Sequence, residues 1–172
     1  SRDDASNPGL ILGAAIARTA RSGGFKDKLG FVPDGSAIVG FGDWVEQLIA
    51  ESTGKLGRGV LPVVLEANSH EVSSPGDDTL LIGLAETASQ SKFELAVSGE
   101  LGELLLLWEV ATAVASRLLE VNPFDQPDVE SAKVAARKLL DSPAGTLVYD
   151  FSDSEIDIAA FGFEPSSKTL VG

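Results

Sequence analysis

Two charged side chains stand where the hydrophobic pattern calls for apolar ones. The first is Glu51, in the stretch FGDWVEQLIAESTGK from Phe41 to Lys55. Ile38, Phe41, Trp44, Val45, Leu48 and Ile49 recur at three- and four-residue steps, the spacing of one helical face. Glu51 follows Trp44 by seven residues, which at about 100° per residue leaves it roughly 20° from Trp44 and facing the core, with Glu46 toward water. It also lies in the last helical turn, at the negative end of the helix dipole. Apolar surroundings and dipole both disfavour the charged form, which suits a general base working near neutral pH. The plainer alternative is a glutamate whose stem packs while its head reaches solvent. The second charge is Lys133. It precedes Leu140 by seven residues and so shares the apolar side formed by Val129, Ala132, Ala136, Leu139 and Leu140; Arg137 and Lys138 lie further round. Charges of opposite sign on two apolar faces can compensate each other if the helices meet at one cleft, or can form a structural ion pair.

Other chemistry-bearing residues give weaker signals. GKLGRG (Gly54 to Gly59) has the look of a phosphate-cradling loop but lacks the GxxxxGK[ST] spacing, and reads as a helix stop and connector. His70 is the only histidine and sits in a polar stretch, so a Ser–His–Asp set has little to build on. Trp44 and Trp108 read as core. Asp77–Asp78 and the DFSDSE run read as solvated turns, with no third ligand at metal spacing.

The elements that must position these residues follow from composition and pattern. At 172 residues, with 44% hydrophobic and 23% charged residues, the chain suits one domain with a sizeable core. A net charge of −13 argues against nucleic-acid binding, since no basic stripe exists to neutralise phosphates. Cysteine is absent, which excludes disulfides and thiolate chemistry and fits a cytoplasmic protein. The greasy run from Leu104 to Val121 is broken by Glu109, Ser116, Arg117 and Glu120 and does not suit a membrane span; SRDDASNPG at the start holds no signal-peptide core. There is no methionine, even at position 1, so a processed product or a piece of something longer is expected.

Along the chain, Asn7 or Ser6 caps a first helix that runs to Gly23–Gly24. Lys28 to Val32 is a strand closed by the turn Pro33–Asp34–Gly35. The Glu51 helix follows, with Gly54 as a left-handed stop and Lys55 as a cation near its end. Val60 to Leu65, Thr79 to Leu84 and Phe93 to Val97 are strands, the first weakened by Pro62. The polar stretch from Ala67 to Asp78 reads as loop, and a short helical turn separates the last two strands. Leu101 to Val121 is the longest helix and mostly buried, with Glu109, Thr112, Ser116 and Glu120 as a narrow polar stripe. A last helix opens at Gln126–Pro127, and two strand-like runs, Thr146 to Phe151 and Ile156 to Phe163, close the chain. Strands alternating with helices predict a layered α/β fold with a mainly parallel sheet.

EQLIAESTGK (Glu46 to Lys55) and NPFDQPDVESAK (Asn122 to Lys133) resemble two signature stretches of the glucose-6-phosphate isomerase family. WEVATAVASRLLEVNPFDQP is similar to the bacterial form, especially the isomerase half of fused transaldolase/glucose-6-phosphate isomerase proteins. The resemblance runs from about Asn7 to Leu140. It implies a sugar isomerase (SIS) domain, a doubly wound three-layer αβα sandwich over residues 1–172, with 6–141 family-like and 142–172 a tail without a recognisable motif. The implied activity interconverts glucose 6-phosphate and fructose 6-phosphate through a cis-enediol, without metal or organic cofactor. By motif position Glu51 matches the catalytic base, Lys133 the lysine assigned to ring opening and charge stabilisation, and Gln126 a glutamine lining the substrate. The implied partners are the sugar phosphate, a preceding SIS domain that carries the phosphate-gripping Ser/Thr loop and an arginine, and a second copy in a homodimer. Neither membrane nor nucleic acid is implied, and the location is cytoplasmic. The family's catalytic histidine has no match, since His70 stands in a different context. The alternative is a non-catalytic SIS module that binds a phosphosugar or mediates dimerisation.

Overall fold

Strand β1 (Lys28–Asp34) lies between β2 (Leu61–Val64) and β3 (Thr79–Ala85), and β4 (Leu95–Val97) extends the sheet on the far side of β3, giving the order β2-β1-β3-β4 with every pair parallel. The computed structural model describes residues 6–21 and 26–141 together with two short strands at 151–152 and 157–158. Helices α1 (Pro8–Arg21), α2 (Phe41–Thr53), a single turn α3 (His70–Ser73) and α4 (Leu101–Leu119) accompany the sheet, and α5 (Pro127–Asp141) follows them in the chain. The expected α/β class stands, with a four-stranded all-parallel sheet consistent with a three-layer αβα sandwich. No helix among the described residues is long and apolar enough to cross a membrane.

The central strands read as apolar runs because parallel strands covered by helices bury both faces. Leu29, Phe31 and Ile82 are fully buried. Both prolines sit where the ladder needs no donor. Pro62 lies in β2, an edge of the described sheet, and Pro33 falls beyond Phe31, the last residue of β1 paired with β2. Phe93 falls outside β4 because its N–H turns to Ser91 Oγ at 3.2 Å. Lys28 spans Asp27 (2.8 Å) and Asp78 (2.5 Å) at the start of β1 and β3. These bonds, Asp27 first, hold the Lys28 ammonium above its ordinary pKa, and the bond from Lys28 holds Asp78 below its own. Exposed pairs of this kind are screened by salt and add little to stability.

The stretch from Ala67 to Asp78 is not all loop, since α3 forms within it, with Ser73 Oγ bonded to His70 O at 2.9 Å. Helix α1 starts as expected, Asn7 Oδ1 accepting from Gly9 N and Leu10 N at 2.9 and 3.3 Å. A capping box of Glu100 and Glu103 opens α4, and Glu120 in the left-handed region (φ 61°) ends it. The expected polar stripe of α4 divides. Glu109 and Glu120 are exposed, but Thr112 and Ser116 are buried on the face of Trp108, Ala111, Ala115 and Leu119. The helix is also less buried than its composition suggests, since Leu106 is 62% exposed.

Helix α1 packs closely on α4 through Gly9 and Gly13, one turn apart. A Cβ on Gly13 would meet the Ala111 carbonyl oxygen at 2.6 Å and Val114 Cβ at 2.7 Å, whereas one on Gly9 would meet only the Val110 side chain that closely. Gly13→Ala is therefore expected to lose about 1–3 kcal/mol by overpacking, against a helix-propensity gain of about 1 kcal/mol. Gly9→Ala should lose less. Urea denaturation of the two variants checks the order, and a Gly13→Ala protein more stable than wild type contradicts it.

The chain divides into two compact units, Ser1–Glu130 and Ser131–Gly172. The first holds the sheet, α1 to α4 and the opening turn of α5. In the second, α5 continues to Asp141, and β5 (Phe151–Ser152) pairs antiparallel with β6 (Asp157–Ile158). Ser152, in the DFSDSE run expected as a solvated turn, is thus a paired residue. The rest of the expected strand runs 146–151 and 156–163 lies outside the described residues.

Candidate functional site

Helix α2 begins after Gly40, whose φ of 76° only a residue without Cβ adopts freely, and Phe41 stacks on Trp44 with ring centroids 5.7 Å apart. Its buried face is Phe41, Gly42, Val45, Ile49 and Thr53, with Trp44 and Leu48 only half-buried at its margin. This corrects the expected orientation. Gly42 brings the helix against Val64 and Leu84, and Thr53 buries its hydroxyl by donating to Ile49 O at 2.9 Å. With these two on the inner side, the face turns and Glu51 lies roughly 150° from its centre, exposed at the surface. The low-dielectric surroundings expected for Glu51 are absent, while its place in the last turn of the helix stands. Glu46, expected in water, is half-buried and accepts Val64 N at 2.8 Å.

The Glu51 carboxylate is held from two directions. Gln47 Nε2 donates to Oε1 at 3.0 Å from one turn back in α2, and Gln126 Nε2 donates to Oε2 at 3.0 Å from 75 residues away. A carboxylate offers about four acceptor positions, so two remain for a ligand. Beside it lies a pocket of about 250 Å³, with Ala50, Glu51 and Gly54 on one wall and Gln126, Pro127 and Val129 on the other. Among the described residues no group of three His, Asp or Glu side chains could hold a metal ion.

Lys55 also borders this pocket. Its side chain is only 4% exposed, and Nζ donates to Asn122 O (2.8 Å), to Asp125 O and to Asp125 Oδ1 (3.1 Å). The loop itself is tied by Asn122 Nδ2 to Asp125 Oδ2 (3.1 Å) and Phe124 N to Asn122 Oδ1 (3.1 Å). Gln126 then starts α5, its carbonyl accepting Glu130 N at 3.3 Å. From the sequence Lys55 reads only as a helix-end cation. Gly54 is not left-handed either, at φ −69°; it is small because a Cβ would meet Ala50 O at 2.6 Å, and the reversal falls to Leu56 (φ 57°) and Gly57 (φ 65°). GKLGRG is a connector, as expected, with Arg58 paired to Glu120 at 2.5 Å.

Of the residues singled out from the sequence, Glu51 and Gln126 are brought into direct contact. Lys133 belongs to the second unit, on α5, where its side chain is exposed; of the apolar side expected for this helix, Val129, Ala132, Ala136 and Leu140 are exposed. His70 is exposed on α3. Gln47 and Lys55 were missed. For Gln47 the four-residue step to Glu51 was a usable signal. Lys55 gave none, because its partners are 67 and 70 residues distant.

No family model matches the chain. Curated relatives do. A protein named glucose-6-phosphate isomerase from Mesoplasma florum is 27% identical over 144 residues, covering 69% of this chain and 34% of its own length. Proteins of the same name from Mycoplasma capricolum subsp. capricolum and Parabacteroides distasonis are each 26% identical, over 156 and 154 residues, covering 59% of this chain and 36% and 34% of their own lengths. The chain thus spans about a third of the relatives it matches, and over that span it is similar to proteins that carry one name, glucose-6-phosphate isomerase.

Proposed function

We propose that this chain is part of an aldose–ketose isomerase that interconverts glucose 6-phosphate and fructose 6-phosphate, and that it supplies the catalytic base, Glu51. The observation that carries the reading is the Glu51 carboxylate held at a pocket by Gln126, from a motif 75 residues away. The names of the relatives point to the same chemistry. In the proposed reaction the Glu51 carboxylate removes the C2 proton of the open-chain aldose, electron flow into the C1 carbonyl gives a cis-enediolate, and O1 takes up a proton from solvent to give the cis-enediol. The same carboxylate then returns the proton to C1 as the O2 hydroxyl releases its proton to solvent and C2 becomes the carbonyl of the ketose. A carboxylate suits this because one oxygen can take and return a proton while amide donors fix its orientation. Gln126 lines the substrate and orients the base, with Gln47 supporting from within α2. Lys133 is assigned, on resemblance alone, to ring opening and charge stabilisation.

The phosphate is gripped, in this proposal, by a second SIS domain carrying a Ser/Thr loop and an arginine, and the enzyme works as a cytoplasmic homodimer. Binding energy from the remote phosphate positions the reacting carbons, so a chain lacking that grip loses rate as well as affinity. The 172-residue chain alone is expected to leave deuterium at C2 of [2-²H]glucose 6-phosphate in place, while the longer protein washes it out into water. Turnover by the isolated chain near the rate of the longer protein contradicts the divided site. Failure of the longer protein to move deuterium from C2 either to C1 or to water overturns the isomerase reading.

A further inference from the structure

The structure assigns Lys55 a positioning role: it holds the Asn122–Asp125 loop in register with the end of α2, so that Gln126 meets the Glu51 carboxylate. The inference rests on the proposed isomerase for its catalytic meaning, but its geometry stands apart from that reading.

An ammonium has three N–H donors, and Lys55 finds three acceptors, Asn122 O, Asp125 O and Asp125 Oδ1, all on one loop. Its side chain is 4% exposed, and a buried charge deprived of its partners is costly, so loop and lysine stay together. The lysine is fixed at its other end too. Its backbone N–H bonds Thr53 O at 2.7 Å and its carbonyl accepts Arg58 N at 3.2 Å, so the amine is tied to the end of α2.

Glu51 and Lys55 are four residues apart, and Asp125 and Gln126 are consecutive. The two stretches are therefore joined at two points, Lys55 to Asp125 and Glu51 to Gln126. One contact alone would let the loop pivot and the Gln126 amide swing off the carboxylate. With both in place the amide is held. Gln47 reaches Glu51 within its own helix and needs no such support. It serves as an internal control.

The side-chain amide resonances of Gln47 and Gln126 in the ¹⁵N-labelled 172-residue chain test this. Glu51→Gln should shift both in the wild-type background. In the Lys55→Met background it should shift Gln47 only. Asp125→Ala removes the exposed side of the same clamp and carries the test if Lys55→Met does not fold; it too should weaken the Gln126 response. An undiminished Gln126 response in the folded variants overturns the proposal. In the longer protein, Lys55→Met should lower kcat about a hundredfold, the cost of misplacing a group by an ångström, with a much smaller change in KM. A kcat loss with the Gln126 response intact also overturns it, because Lys55 would then act directly. Selective loss of the Gln126 response supports the positioning role by itself, even where the wild-type longer protein shows no isomerase activity, a result that would overturn only the isomerase reading.

Discussion

Glu51→Gln in the longer protein is expected to slow exchange of the C2 proton by about 10²–10⁴-fold, the usual contribution of a positioned general base. Sugar-phosphate binding should stay close to wild type. Glutamine has the size of glutamate but cannot accept the proton as a base. The new amide would set one NH₂ against an NH₂ of Gln47 or Gln126, and a half-turn of either glutamine presents its carbonyl oxygen instead. The pocket wall therefore keeps its shape. Loss of ²H from C2, followed by NMR, reads the chemistry, and competition with a non-isomerisable phosphosugar reads binding. Loss of binding with exchange preserved would refute the role of Glu51.

Trp108→Ala should destabilise the chain by about 3–5 kcal/mol, the range for truncating a buried large aromatic. Trp108 is fully buried and meets the Phe31 ring edge-on at 5.4 Å, joining α4 to the central strand. Its Nε1, like Thr112 Oγ1 and Ser116 Oγ, has no hydrogen-bond partner among the described residues. Trp108→Phe consequently gives up volume but no protein hydrogen bond, and should cost much less than Trp108→Ala. Chemical denaturation of the two variants separates the effects, and an alanine variant within about 1 kcal/mol of wild type would show that the core closes around the missing ring.

Much of the fold was legible because local chemistry and global burial agree. The strands are apolar runs between Gly, Pro and Asp turns, and Asn7–Pro8 announces its helix in two residues. The phase of α2 was not legible, although its existence was. Counting only Ile, Leu, Val, Phe and Trp as core leaves out Gly42 and Thr53, one buried for closeness and the other with its hydroxyl satisfied by its own helix. That omission turned Glu51 inward and Glu46 outward, the reverse of what forms. The contact between Glu51 and Gln126 could be reached only through resemblance of two stretches, since no periodicity links residues 75 apart. Lys55 escaped both routes. Its surroundings are built by a loop whose conformation depends on Asn122 and Asp125 bonding each other.

The outer margin of β2 has a bearing on strand pairing between copies of this chain. Odd-numbered residues there donate inward, as Leu61 N does to Asp27 O and Leu65 N to Phe31 O. Even-numbered ones face out, and neither has a donor to spare: Pro62 lacks an N–H, and Val64 N is occupied by Glu46. A foreign strand approaching from that flank would find carbonyls but no donors, so it could not zip on in register. Opening this flank by Glu46→Ala and Pro62→Val together would create a template for fibril growth along an edge that now refuses one.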